Sequence, residues 1–247
     1  MSQERKTLDE RAQMTDLERL RHSCAHLMAT AILKLWPQAQ FAYGPPVENG
    51  FYYDFDLDHR ITPDDFEKIE AEMKKLTKEN QKFEKKVISR AVAIAMAESG
   101  RLGGLSERPG NASRFKLDLI DKIPEGEEIS CYQNGEFIDL CAGPHVNYTS
   151  KCKNVKLMSV SSSFYLGDES KGQLQRLYGT AFENKEELET HLTRLEEAKK
   201  RDHRRLGKEL GLFHIDEMVG QGLILWKPKG ALIRRSLQDF ITHVKRC

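Results

Sequence analysis

A capping box at Thr15 and Glu18 and a stop at Pro37 bracket one run of apolar residues. Leu17, Leu20, Cys24, Leu27, Met28, Ala31 and Leu35 recur at about 100° per residue, the period of a helix with one face in a core. The same helix carries His22 and His26 on a second, narrower face with Ala29 and Leu33, which predicts imidazoles pointing together into a cleft. Cys24 sits in the apolar stripe, where a cysteine is expected simply to pack.

A second pair with the same spacing lies far downstream: Cys141 and His145 in DLCAGPH. Together the pairs supply three imidazoles and a thiol, a set that can bind zinc or arrange water for hydrolysis. Either pair alone says little, because an H-x-x-x-H arises by chance. Gly143-Pro144 is a turn between Cys141 and His145, rigid enough to fix where both point.

The remaining chain supplies the scaffold for such a site. FAYGPPVENGFYYDFDL reads as strand, turn and strand. Thr62-Pro63-Asp64-Asp65 starts a helix that runs to about Lys78, and Ser89 caps an Ala-rich helix ending near Gly100. The Gly-, Ser- and Pro-rich stretch 100–113 reads as a mobile loop able to serve as a lid. From Arg114 the pattern turns to short strands: RFKLDLI, EISCYQ, a turn at Asn134-Gly135, EFIDL, VKLMSVSSSFYL and LQRLYGTAF. The expected class is α+β, an antiparallel sheet packed against helices, with His22 and His26 brought over the strand end that carries Cys141 and His145.

Four segments are expected: an arm over 1–14, the α+β domain over 15–183, a charged linker helix over 184–212, and a new unit over 213–247. The last is too short for a core and must dock, dimerise or open a larger domain. With 39 basic against 38 acidic residues the net charge is +1, so overall charge does not announce a nucleic-acid binder. Locally, Lys199, Lys200, Arg201, Arg204, Arg205 and Lys208 face only Asp202, either as a solvated helix face or as a phosphate-contacting patch. Cys24, Cys131, Cys141, Cys152 and Cys247 follow no disulfide spacing, and the polar opening MSQERKTLDERAQ resembles no signal peptide, so a cytosolic protein with reduced thiols is expected. No run approaches the roughly 20 apolar residues of a membrane span.

RHSCAHLMATAILKLWP, YGPPVENGFYYDFD, ITPDDFEKIEAEM, FKLDLI, IDLCAGPHV and QLQRLYGTAF, in this order, resemble the editing domain of bacterial threonyl-tRNA synthetases. RDHRRLGKELGLFHIDE and GLILWKPKGALIRRSLQDFI resemble that family's linker helix and the opening of its class II catalytic core. That tail argues against the alanyl-type editing domains and their freestanding forms. Three departures stand out: a short polar arm replaces the ubiquitin-like domain of many members, Leu166 occupies the arginine position of a Y-W-R-G-D motif written here Phe164-Tyr165-Leu166-Gly167-Asp168, and the chain stops within the first class II motif. ATP, magnesium and the core zinc are therefore expected only in the full-length family, and this chain alone is not expected to charge tRNA.

The resemblance implies post-transfer editing, the hydrolysis of mischarged Ser-tRNA(Thr), in the cytoplasm. It joins Lys116 and Asp139 to His22, His26, Cys141 and His145 as catalytic residues, Lys116 polarising the ester or positioning water, Asp139 holding the substrate amino group or orienting a histidine. No cofactor is expected for editing; zinc on His22, His26, Cys141 and His145 is the alternative. Lys199, Lys200, Arg201, Arg204 and Arg205 are the candidate tRNA contacts. Full-length members are homodimers, whereas this chain alone is compatible with a monomer. Two other readings stay open: a non-catalytic tRNA-binding or synthetase-pairing fragment, and a freestanding alanyl-type deacylase.

Overall fold

A computed structural model describes residues 13–108, 110–220 and 222–245; most of the expected N-terminal arm, and Cys247, lie outside the described residues. Two compact units divide the chain after Leu188.

The first unit is built on helix α1, Asp16–Leu35. Thr15 N–H donates to Glu18 Oε2 at 2.8 Å and Glu18 N–H donates back to Thr15 Oγ1 at 3.2 Å, so the capping box is closed. From Leu20 to Leu33 every residue is buried. The expected cleft face is therefore an interior one, because helix α2, Pro63–Glu79, and strands β3, Gly50–Asp56, and β8, Gln173–Phe182, all pack on α1. Leu35, expected in the core stripe, is partly exposed at the helix end.

With β1, Gln40–Phe41, and β7, Asn154–Phe164, strands β3 and β8 form an antiparallel sheet in the order β1-β3-β8-β7; β2, Pro46–Val47, also pairs with β3. A second antiparallel sheet runs β4-β5-β6, from Phe83–Ile88, Ile129–Asn134 and Phe137–Leu140. Helices α3, Arg90–Glu98, and α4, Arg114–Asp121, close a smaller core against it through Ala93, Ala97 and Ile120 on one side and Cys131 and Ile138 on the other. The architecture is α+β with antiparallel sheets, as its sequence pattern predicts.

Three readings are corrected. RFKLDLI is helix α4 and not a strand. Its apolar alternation suits either period, but the residues buried are Phe115, Lys116 and Ile120, and the Lys116 to Ile120 step is helical. The stretch 100–108 is tied down and is no free lid: Gly103 N–H donates to the Ile138 carbonyl at 2.8 Å, and Arg108 donates to the carbonyls of Gly100 at 3.1 Å and Ala39 at 2.9 Å. The stretch read as one linker helix is two, α5, Lys185–Lys200, and α6, His203–Glu209. Asp202 ends the first by capping the second, accepting from Arg204 N–H at 2.8 Å.

The second unit holds most of these charged helices, a short ladder of β9, Phe213–His214, with β10, Leu225–Trp226, and helix α7, Pro228–Val244. Leu232, Leu237 and Phe240 on α7 are exposed.

Candidate active site

His22 and His26 lie one turn apart on α1, and Cys141 and His145 lie just beyond β6, so two distant segments must be stitched together. Two bonds fix Cys141 to β5 and a third ties the segment to α1. Cys141 N–H donates to the Ser130 carbonyl of β5 at 3.0 Å, Ser130 Oγ donates to the Cys141 carbonyl at 2.9 Å, and Val146 N–H donates to Ser23 Oγ on α1 at 2.9 Å. Between them, Gly143 takes φ +71°, and a Cβ there would fall 2.4 Å from Tyr132 Oη. Glycine is required on both counts.

The result is one cluster: ligand-type atoms of His22, His26, Cys141 and His145 all lie within 4.8 Å of one another. Cys141 Sγ stands 3.3 Å from Nε2 of His22 and 3.3 Å from Nε2 of His145, and it receives the Gly143 N–H at 3.2 Å. On the far side of the rings, His22 Nδ1 meets the Pro144 carbonyl at 3.2 Å and His145 Nδ1 meets Ser23 Oγ at 3.0 Å. His22 stacks on His145 with centroids 4.1 Å apart, Phe83 stacks on His145 at 5.1 Å, and Tyr132 and Phe137 complete an aromatic wall.

Three imidazoles in so small a volume cannot all be charged. Burial, reinforced by the Lys116 charge, lowers His26 to about 3, and burial with the neighbouring His22 and His26 holds His145 well below the usual imidazole range. Both are neutral bases at physiological pH. A neutral imidazole can take a proton from water, which is what hydrolysis of an ester asks of it.

The donor set also fits zinc. Its sulfur-to-nitrogen distances of 3.3 Å approach the edge of about 3.6 Å expected of a tetrahedral site, and the buried Nδ1 of His26 has no hydrogen-bond partner among the described residues. Zinc bound by His22, His26, Cys141 and His145 would supply a Lewis acid and an activated water.

Lys116 and Asp139 form a second buried group. Lys116 Nζ lies 2.7 Å from Asp139 Oδ1 and donates to the Ala42 carbonyl at 3.0 Å; Tyr53 Oη donates to Asp139 Oδ2, and Leu140 N–H to Asp139 Oδ1 at 2.9 Å. Asp139 therefore orients Lys116 and Tyr53 and touches no histidine among the described residues, which corrects the second of its expected roles. The basic stretch is also less free than its sequence suggests. Lys200 and Arg201 pair with Glu197, Arg204 with Asp202 and Arg205 with Glu209, so of the five candidate tRNA contacts only Lys199 has no ion pair among the described residues. Leu166 is half exposed with φ +54° and takes no part in the cluster's hydrogen bonds. Three residues escaped the sequence reading: Ser23, Phe83 and Tyr53. Ser23 alone left a signal, its place beside His22 in the first motif.

Residues 129–178, which include Asp139, Cys141 and His145, match the family described as the Threonyl and Alanyl tRNA synthetase second additional domain. Along nearly its whole length the chain is similar to threonine–tRNA ligases. That of Geobacillus kaustophilus (strain HTA426) is 52% identical over 225 residues, 91% of this chain and 33% of the relative. That of Citrifermentans bemidjiense is 48% identical over 232 residues, 93% of this chain and 35% of the relative, and that of Staphylococcus aureus (strain Newman) is 49% identical over 225 residues, 91% and 33%. This chain is a homologue of the threonine–tRNA ligases. It spans about a third of the length of the curated relatives it matches. Within that third, the threonine–tRNA ligase homologue carries both the H-x-x-x-H and the C-x-x-x-H pair, and no helix among its described residues is long and apolar enough to cross a membrane.

Proposed function

We propose that this chain edits: it hydrolyses the ester of mischarged Ser-tRNA(Thr) in the cytoplasm. The observation that carries the reading is the convergence of His22, His26, Cys141 and His145, two of them neutral bases, in a chain that matches the second additional domain. A pocket for threonine excludes serine poorly, because one missing methyl is worth roughly 1 to 3 kcal/mol, or about 10- to 200-fold. A second, hydrolytic site that accepts serine and rejects threonine supplies the remaining discrimination.

In this proposal tRNA is the partner and its 3′ ester enters beside Cys141. A neutral imidazole takes the proton of the attacking water, and the departing ribose oxygen recovers one from the cluster. Lys116, held by Asp139 and near enough for its charge to act on His26, stabilises charge developing at the ester. Both Asp139 oxygens already have partners, so binding the substrate amino group would require it to exchange one. The reaction so written uses side chains and water alone, without a required metal.

The test is release of serine from Ser-tRNA(Thr) by this chain, with Thr-tRNA(Thr) and a His145→Ala variant in parallel. Release from the serine ester only, lost in the variant, is expected. A folded chain that retains tRNA on a filter and releases nothing would leave a non-catalytic tRNA-binding fragment, and faster release from Ser-tRNA(Ala) would make it an alanyl-type deacylase.

A further inference from the structure

The hydrogen bonds of the cluster fix where its protons rest. The Pro144 oxygen, a carbonyl, only accepts, so His22 Nδ1 at 3.2 Å carries a proton. A neutral His22 then presents its lone pair at Nε2, and the Cys141 thiol proton points to it across 3.3 Å. The sulfur is left to accept, as it does from the Gly143 N–H at 3.2 Å. His145 Nε2, 3.3 Å from the same sulfur, meets it without opposing lone pairs only as an N–H donor. A neutral His145 protonated at Nε2 has its lone pair at Nδ1, and the atom facing Nδ1 is Ser23 Oγ at 3.0 Å.

Ser23 is fully buried and its Oγ accepts from Val146 N–H at 2.9 Å. It has one proton to place, either on the Arg19 carbonyl at 2.8 Å, which the helix ladder already serves, or on His145 Nδ1. With His22 neutral, only the second choice satisfies every atom of the chain Ser23, His145, Cys141, His22, Pro144.

We propose that Ser23 is a positioning residue: its hydroxyl donates to His145 Nδ1 and thereby holds His145 as the Nε2–H tautomer, with its donor aimed at Cys141. The consequence for rate rests on the editing reading; the tautomer itself does not. Partners at this remove from a reacting centre typically change activity by 10- to 100-fold.

The experiment is long-range proton–nitrogen correlation on the chelator-treated chain carrying ¹⁵N-labelled histidine, with His145→Ala identifying the His145 signals. Wild type is expected to show His145 protonated at Nε2 and bare at Nδ1. Ser23→Ala should lose that preference and slow serine release about 10- to 100-fold, while Ser23→Thr, which keeps the hydroxyl, should retain the wild-type pattern. A wild-type His145 protonated at Nδ1 overturns the proposal, even if neither variant folds. So does a folded Ser23→Ala with an unchanged tautomer. The expected spectra in a chain that releases no serine would uphold the coupling of Ser23 to His145 and overturn the editing reading alone.

Discussion

Lys116 Nζ lies 2.7 Å from Asp139 Oδ1 with both side chains buried, so each charge depends on the other. Lys116→Met should cost about 3 to 5 kcal/mol in urea unfolding, because the carboxylate is left without its cation. Adding Asp139→Leu should recover most of that loss but not serine release. A single variant within about 1 kcal/mol of wild type would show that water reaches the pair.

Stability should fall in mild acid. His26 and His145 are held neutral when folded and titrate near 6.5 when unfolded, so the unfolded chain binds more protons and stability rises with pH. The contribution of His26 is fully present above about pH 6.5, is lost as pH falls below it, and levels off near 3. Between pH 6.5 and 4.5 that amounts to roughly 3 kcal/mol for His26 alone. Chemical unfolding across this range, repeated on His26→Phe, checks it; an equal slope in the variant would contradict the assignment.

Gly143→Ala should fail at the site more than in the fold. The added Cβ meets Tyr132 Oη at 2.4 Å, and φ +71° disfavours any side chain. We expect a loss of about 1 to 3 kcal/mol in stability and at least a tenfold loss of serine release, since the turn places both Cys141 and His145. Trimming the ring with Tyr132→Ala should relieve the contact but not the backbone cost, giving partial recovery.

Metal removal should leave serine release unchanged in the editing reading, and excess zinc should inhibit by taking the His22 Nε2 lone pair and Cys141 Sγ and displacing the proton from His145 Nε2. Parallel rates and metal content after chelation decide this. A rate that falls with chelator and returns with stoichiometric zinc would make the cluster a metal centre.

The features legible in sequence were those with a period or a cap. Helix α1 announced itself through Thr15, Glu18 and its apolar stripe, and the pairing of His22 and His26 with Cys141 and His145 needed only their spacing. Strand β4 was silent because four of its six residues are exposed and three of those are charged, as suits a sheet edge; Phe83 turns inward onto His145, and Ile88 at the other end packs on the smaller core. Lys116 was misplaced on a strand because alternation in a short apolar run cannot separate the two periods, and no local pattern tells of a buried lysine whose carboxylate lies on another element. Ser23 stands beside His22 in the first motif, but nothing in the sequence names its partner. Its partner His145 is far away in sequence, and only folding shows that the two meet.

Helix α1 is enclosed along its length from Leu20 to Leu33, and His22 and His26 sit inside that stretch. The amides around His22 and His26 should therefore exchange with solvent deuterium only when the whole first unit unfolds, so the reacting centre has the longevity of the domain itself, and substrate must come to a surface that does not breathe to admit it.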